Sequence, residues 1–348
     1  MNNWLFAKRA SKLSLSLLIP ATLSVAANSS ICAAKAIDSP GSTTDQASVF
    51  SNAPVSTQGS TQGSTGGGIR LRELEGIRVA TVAEAVDADA VNLNGIIVSN
   101  DKPVQGEPIK ISLSQDIDPT VETFKFNGET YKFFTDDYGG KSVRSAYIAI
   151  PAQMKPGKHQ ITAGGAVATI SVSDAHFGIQ RLTLPKKKDN FNASPGEKET
   201  IAKAKKVLSA EKRWSSAFKH PAVGRMSTKF GVKRIVNGKL LTDYFHSGQD
   251  FAAPIGTPIH AAAAGRVLVA HTGWKLHGNV VVLDHGRGVI SISIHMTKVL
   301  VKEGDEVEAG QVIGTVGKTG RASGPHLHYC IYVNNEASNP NFWFKNSY

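Results

Sequence analysis

Gly324-Pro325-His326-Leu327-His328-Tyr329 is the stretch around which the rest of the chain can be read. Side chains alternate between the two faces of a β-strand. If these residues form a strand, His326 and His328 leave the same face and Leu327 enters a core. Two imidazoles on one face can put one nitrogen on a metal ion and hold the other beside the metal's open position. Nine of the eleven histidines lie at or after His220, so this chemistry belongs to the last part of the sequence.

Two other segments supply partners. His246-Ser-Gly-Gln-Asp250 is an H-x-x-x-D spacing in a glycine-bearing segment, followed by Ala252-Ala253-Pro254. Ile292-Ser-Ile-His295-Met296 is an apolar run that can bring His295 to the same place. His246, Asp250 and His328 together offer two imidazoles and one carboxylate. That set suits Zn²⁺ with a fourth position left for water. Zinc in such a site polarises a carbonyl and lowers the pKa of its water to about 7. His295 and His326 are then candidates for general base, general acid or oxyanion stabiliser. His220, His260, His271 and His285 read as packing or surface residues. His277 is a candidate for lining a groove. Cys330 shares the strand parity of His328 but reads as a small buried residue, since a thiolate would make a different metal set.

The chain has 348 residues, enough for about two domains. Its formal charge of +11 points to an anionic partner: nucleic acid, a membrane surface or an acidic polymer. No helix-turn-helix, RNP-like or OB-type aromatic signal stands out, which argues against nucleic acid. Two cysteines exclude a disulfide-rich scaffold and a Cys-only zinc cluster.

Residues 1–36 have the form of an export signal. Lys8, Arg9 and Lys12 form a basic leader, and Leu13 to Ala27 is a mostly apolar run containing Pro20. A membrane span needs about 20 apolar residues, so this run fits a signal core better than an anchor. Ala34-Lys35-Ala36 and Ser24-Val25-Ala26 are candidate cleavage sites. Ile31 before Cys32 argues against lipidation. Cleavage after residue 36 would leave 35 basic and 28 acidic residues, a charge of +7, and Cys330 as the one cysteine. The expected location is the periplasm or cell envelope, or outside the cell.

Residues 37–68 repeat Ser-Thr-Gln-Gly at 56–59 and 60–63 and have almost nothing to bury, so they read as a flexible tether. Residues 69–90 remain unassigned. Residues 91–173 alternate in the β manner: Ile109, Ile111 and Leu113 on one face, then Phe124-Lys-Phe126 and Ala146 to Ile150. Asn127-Gly128, Gly139-Gly140, Pro156-Gly157 and Gly164-Gly165 mark turns. The spacing suggests a small antiparallel sandwich of Ig-like type, with a structural or spacing role. Residues 174–219 form a connector bearing the basic run 186–188. Ser194-Pro195-Gly196-Glu197 predicts a capped helix, with Ser194 at N-cap and Glu197 at N3, continued by Ile201, Ala204, Val207 and Leu208. The expected architecture is mainly β: the Ig-like sandwich, the linking helix, then a C-terminal β domain over 220–348.

From residue 220 onward the chain resembles the lysostaphin- and LytM-type zinc endopeptidases, the M23 family. The likeness runs through Phe230-Gly231, His246-x-Gly-x-Asp250, Gly256-Thr-Pro258, Ala263-Ala-Gly-Arg-Val267, Gly278-Asn-Val-Val-Val282 and Asp284-His-Gly286. It continues through Gly304, Gly310-Gln311, Gly314, Thr319-Gly320, Ser323-Gly-Pro-His-Leu-His328 and Asn339-Pro340. The resemblance implies a compact antiparallel β domain of LytM/lysostaphin type with one zinc in a groove. It implies His246, Asp250 and His328 as zinc ligands and His295 and His326 as catalytic histidines. The implied substrate is the peptide part of bacterial cell-wall peptidoglycan; partner proteins in the envelope are not identified.

Three positions depart from the family pattern: Ser293 where many members have Tyr, His277 in place of a common Tyr, and Met296 for Leu. The Ser293 change would remove a phenol expected to assist the oxyanion. A non-catalytic LytM-like regulator would have lost ligands, and here the set is complete. Val301 to Gly314 also resembles the strand pairs of lipoyl- and biotin-carrier modules, but no modifiable lysine stands at a hairpin tip.

Overall fold

A computed structural model describes residues 90–138, 141–183, 192–242 and 244–348. The expected signal, the tether, all but the last of the unassigned residues 69–90 and the basic run 186–188 lie outside the described residues. The protein is mainly antiparallel β. Among the described residues, no helix is long and apolar enough to cross a membrane.

The first unit contains β1 (Val91–Leu93), β2 (Ile96–Val98), β3 (Pro108–Leu113), β4 (Thr123–Phe126), β5 (Glu129–Lys132), β6 (Phe134–Tyr138), β7 (Lys141–Ala149), β8 (Gly157–Ala163) and β9 (Ala166–Val172). They form two sheets, ordered β1-β2-β3-β7-β6 and β5-β4-β8-β9. Both sheets feed one core, with Ile96, Ile109, Ile111 and Ile148 from the first and Phe124, Phe126, Ile161 and Ile170 from the second. Asn127 (φ 51°) and Gly128 (φ 80°) make the left-handed turn that joins β4 to β5, as the Asn-Gly pair predicts.

Strand β3 departs from simple alternation: all six of its residues are buried. The reason is tertiary. Tyr147 of the neighbouring β7 packs its ring 5.4 Å from Trp214 of the following unit, so the outer face of this sheet is covered too. Asn334 donates to the Tyr147 carbonyl at 2.7 Å, and Arg287 pairs with Asp136 while lying over the Phe134 ring.

A short β10 (Ile179–Leu182) and the helix α1 (Glu197–Ala204) follow. The helix starts later than predicted. Gly196 is its N-cap, and no side chain caps it. Ser194 instead accepts a hydrogen bond from the distant Lys275 N–H at 3.0 Å, a tertiary contact that replaces the local one. Helix α1 also ends at Ala204, before Val207 and Leu208, with Ile201 and Ala204 buried.

The last unit comprises β11 (Arg225–Thr228), β12 (Lys233–Val236), β13 (Lys239–Leu240), β14 (Gln249–Ala252), β15 (Pro258–His260), β16 (Gly265–His271), β17 (Asn279–Asp284), β18 (Val289–Met296), β19 (Lys298–Val299), β20 (Glu306–Val307), β21 (Val312–Thr315), β22 (His326–Val333), β23 (Glu336–Ser338) and α2 (Pro340–Lys345). Its main sheet runs β11-β14-β22-β18-β17-β16-β20, with β23 paired to β22. The connector contributes directly, because β10 pairs in parallel with β12. Two cores flank the main sheet. Leu327, Tyr329, Ile331 and Val333 enter one; Cys330 and Tyr332, with Ile290, Ile292 and Ile294, enter the other.

His285 is fully buried among these strands, against the Ala264 carbonyl at 2.7 Å and Ser291 Oγ at 2.8 Å. Burial pushes its pKa down to about 4. The unfolded chain therefore binds the extra proton first, and this contribution to stability is complete above about pH 6.5 and lost as pH falls toward about 4. We expect it to remove about 2 kcal/mol by pH 5, and a His285→Asn variant to show a flatter stability–pH curve in denaturant titrations.

Candidate active site

The β14–β22 pairing brings two distant segments together. Asp250 stands directly opposite His328. His246 lies just before β14, with its N–H bonded to the Val232 carbonyl at 3.0 Å. Gly248 permits the approach: a Cβ there would collide with the Tyr329 carbonyl and lie 2.7 Å from Cys330 Sγ. Hence the glycine within His246-x-Gly-x-Asp250.

Three atoms converge. His328 Nδ1 is 2.7 Å from Asp250 Oδ1 and 3.0 Å from His246 Nε2, which is itself 3.2 Å from Asp250 Oδ1. All three residues are buried, and their ligand atoms lie within 4.8 Å of one another. The other nitrogens are already occupied: His246 Nδ1 contacts the Lys229 carbonyl at 2.8 Å, and His328 Nε2 contacts Cys330 Sγ at 2.8 Å. A carbonyl can only accept, so the proton of His246 sits on Nδ1 and its Nε2 lone pair faces the cluster. Asp250 Oδ2 is buried without a hydrogen-bond partner. Two imidazole nitrogens, a carboxylate and an orphaned oxygen fit a divalent cation of the zinc type. Burial disfavours the Asp250 charge, but His246 and His328 hold its carboxyl well below the usual range. Burial also lowers His328, to about 4. An ionised carboxylate between neutral imidazoles is the state that binds a metal.

His295 and His326 border this cluster, with ring centroids 4.9 Å apart. His295 reaches it through a β-bulge. Asn279 pairs with Met296 and Val281 with Ser293, so β18 carries one extra residue there. His295 takes φ 63°, an uncommon conformation for a residue with a Cβ. Without the bulge, His295 would share a face with Ser293. Ser293 pairs with Tyr329, whose ring enters the opposite core. Position 293 therefore lies on the face opposite His328.

Both histidines have Nδ1 on a backbone carbonyl: His295 on Thr319 at 2.9 Å, His326 on Gly324 at 2.9 Å. Each therefore carries its proton on Nδ1 and presents an Nε2 lone pair. Both Nε2 atoms are buried and without hydrogen-bond partners. Burial, then the neighbouring His326 and His328, keeps the His295 pKa well below its ordinary value.

Two features escape sequence reading. His277 is buried and held by Glu197 at 2.6 Å rather than lining a groove. Cys330 is buried as expected, yet it also serves the outer nitrogen of His328. The His328–Cys330 spacing carries that signal, since both share one strand face. A donor–acceptor partner of this kind fixes which nitrogen a ligating histidine offers. We expect Cys330→Ala to weaken zinc binding about 10- to 100-fold in chelator competition, and Cys330→Ser to recover most of the loss.

Known proteins resemble this chain over the segment that carries the site. Residues 244–340 match Peptidase family M23. The peptidoglycan DD-endopeptidase ShyC of Vibrio cholerae is 42% identical over 118 residues, covering 33% of this chain and 26% of the relative. The DD-carboxypeptidase/endopeptidase Mpg of Neisseria meningitidis is 41% identical over 117 residues, again 33% of this chain and 26% of the relative. The chain thus spans about a quarter of the length of these curated relatives. A crystal structure from Pseudomonas aeruginosa assigned to peptidase M23 aligns with a TM-score of 0.52 and 26% identity, covering 71% of this chain and 96% of that one. The segment that carries His246, Asp250, His295, His326 and His328 is thus similar to peptidase family M23.

Proposed function

We propose that this protein is an exported zinc endopeptidase that hydrolyses peptide cross-links of bacterial peptidoglycan. The observation that carries the proposal is the convergence of three ligand atoms beside two buried imidazole nitrogens without hydrogen-bond partners. His246, Asp250 and His328 would hold the zinc. Bound there, zinc supplies Lewis acidity toward a carbonyl oxygen and an acidified water. The remaining chemistry belongs to His295 and His326. With Nδ1 pinned on carbonyls, each offers Nε2 as the acceptor for a proton from the attacking water. The ring that has taken the proton becomes a donor, able to deliver it to the leaving amine. Burial of both rings keeps bulk water from competing.

The substrate follows from chemistry and kinship together. ShyC is named as a peptidoglycan DD-endopeptidase, which supports a cross-link peptide as substrate. A basic chain behind an export leader would meet the anionic envelope rather than nucleic acid. We read the two-sheet unit over 91–173 as an Ig-like module that spaces the peptidase domain. A non-catalytic regulator of other wall hydrolases is disfavoured by the complete donor set.

Purified full-length protein is expected to hold one zinc and to release peptides from sacculi. His246→Ala and His328→Ala should lose both properties. His295→Ala and His326→Ala should keep zinc and lose at least about 100-fold in rate. Wild-type protein that neither binds zinc nor releases peptides would overturn the assignment.

A further inference from the structure

We propose that Glu197, on the connector helix outside the M23-matched segment, is a positioning residue for His295. The inference rests on the catalytic reading above, which gives His295 its task.

Glu197 is fully buried, and its carboxylate is surrounded by donors. It accepts from Ser194 N–H at 2.6 Å, Leu276 N–H at 3.1 Å, His277 N–H at 2.7 Å and the His277 ring at 2.6 Å. Ser194 Oγ accepts from Lys275 N–H at 3.0 Å. Three consecutive backbone amides of the loop before β17 therefore end on the connector. Such a run of N–H groups makes a concave cradle for an anion, and here the anion is a side chain of the same protein. Burial opposes the charge on Glu197, but the His277 hydrogen bonds hold its pKa down to about 2.

The other side of this loop faces His295. The His277 carbonyl accepts the His295 N–H at 3.0 Å. Leu276 O accepts Arg321 N–H at 3.0 Å, tying the loop to the segment whose Thr319 carbonyl holds His295 Nδ1. His295 sits at φ 63°, and a residue persists there only where its surroundings over-determine it. Glu197 supplies part of that determination: it fixes His277 on one side, and His277 fixes the bulged backbone on the other. Every partner of Glu197 is a donor, so a neutral amide would turn its own N–H groups onto some of them. The helix has separate reasons to stay docked, because Ile201 and Ala204 enter the core that contains Trp274 and Leu276. Removing the carboxylate should thus loosen the loop without releasing the helix.

The test compares full-length wild type, Glu197→Gln and Ser194→Ala. The readouts are kcat and KM on a defined cross-linked muropeptide, zinc content, and amide hydrogen exchange at His295 and Val282. For Glu197→Gln we expect kcat to fall about 10- to 100-fold, with KM within about twofold and zinc content unchanged. His295 amide protection should drop while Val282 stays protected. Unchanged kcat, or a loss matching only the unfolded fraction with His295 protection intact, would overturn the proposal. Should Glu197→Gln fail to fold, Ser194→Ala decides: a smaller shift in the same direction supports the role, and no shift overturns it. If wild type releases no peptide, the catalytic reading fails, while the exchange data still show whether Glu197 holds His295.

Discussion

A buried carboxylate set between two buried imidazoles is the constraint on which this structure turns. Charge is costly to remove from water unless it is paired, hydrogen-bonded or bound to a metal. Asp250 has both flanking imidazoles on one oxygen and nothing on the other. That arrangement is poor as a self-contained network and good as a metal cradle. It also dictates its neighbourhood. Gly248 must lack a side chain so that His246 can pass over β22, and β22 must run beside β14 in the register that sets His328 against Asp250.

The histidines around this centre are prepared by the backbone. Carbonyls of Lys229, Thr319 and Gly324 each take one ring nitrogen, which leaves the opposite nitrogen for metal or proton transfer. For His328 the partner is the Cys330 sulfur. Rigid loops must hold those carbonyls in place. One of them leads back to the connector, where Glu197 anchors the segment before β17. The connector is therefore structural support for the site and not only a spacer. The first unit stays at the other end of β22, where Tyr147 meets Trp214 and Asn334.

Much of the site was legible because ligand chemistry imposes residue type and spacing. His326 and His328 had to share a strand face, and they do. His246 with Asp250 had the spacing of a turn entering a strand. The strands at 109–113 and 124–126 and the Asn127-Gly128 turn were also readable from alternation and backbone preference. At Ser194 half of the predicted capping box forms, with Glu197 accepting the Ser194 N–H, while a distant loop takes the serine hydroxyl. The face taken by Ser293 is not readable locally, because a bulge two residues later changes which face His295 occupies.

The sequence by itself determined which residues could bind a metal, which stretches alternate as strands, and that the chemistry lies after His220. Those properties are local: they depend on side-chain type and on a fixed two-residue period. Only the tertiary structure decided that Asp250 faces His328, that His295 flips onto their side of the sheet, that Cys330 and Glu197 serve the site, and that β3 is buried on both faces. Each of these depends on strand register or on contacts between residues far apart in the chain, and no local preference encodes them.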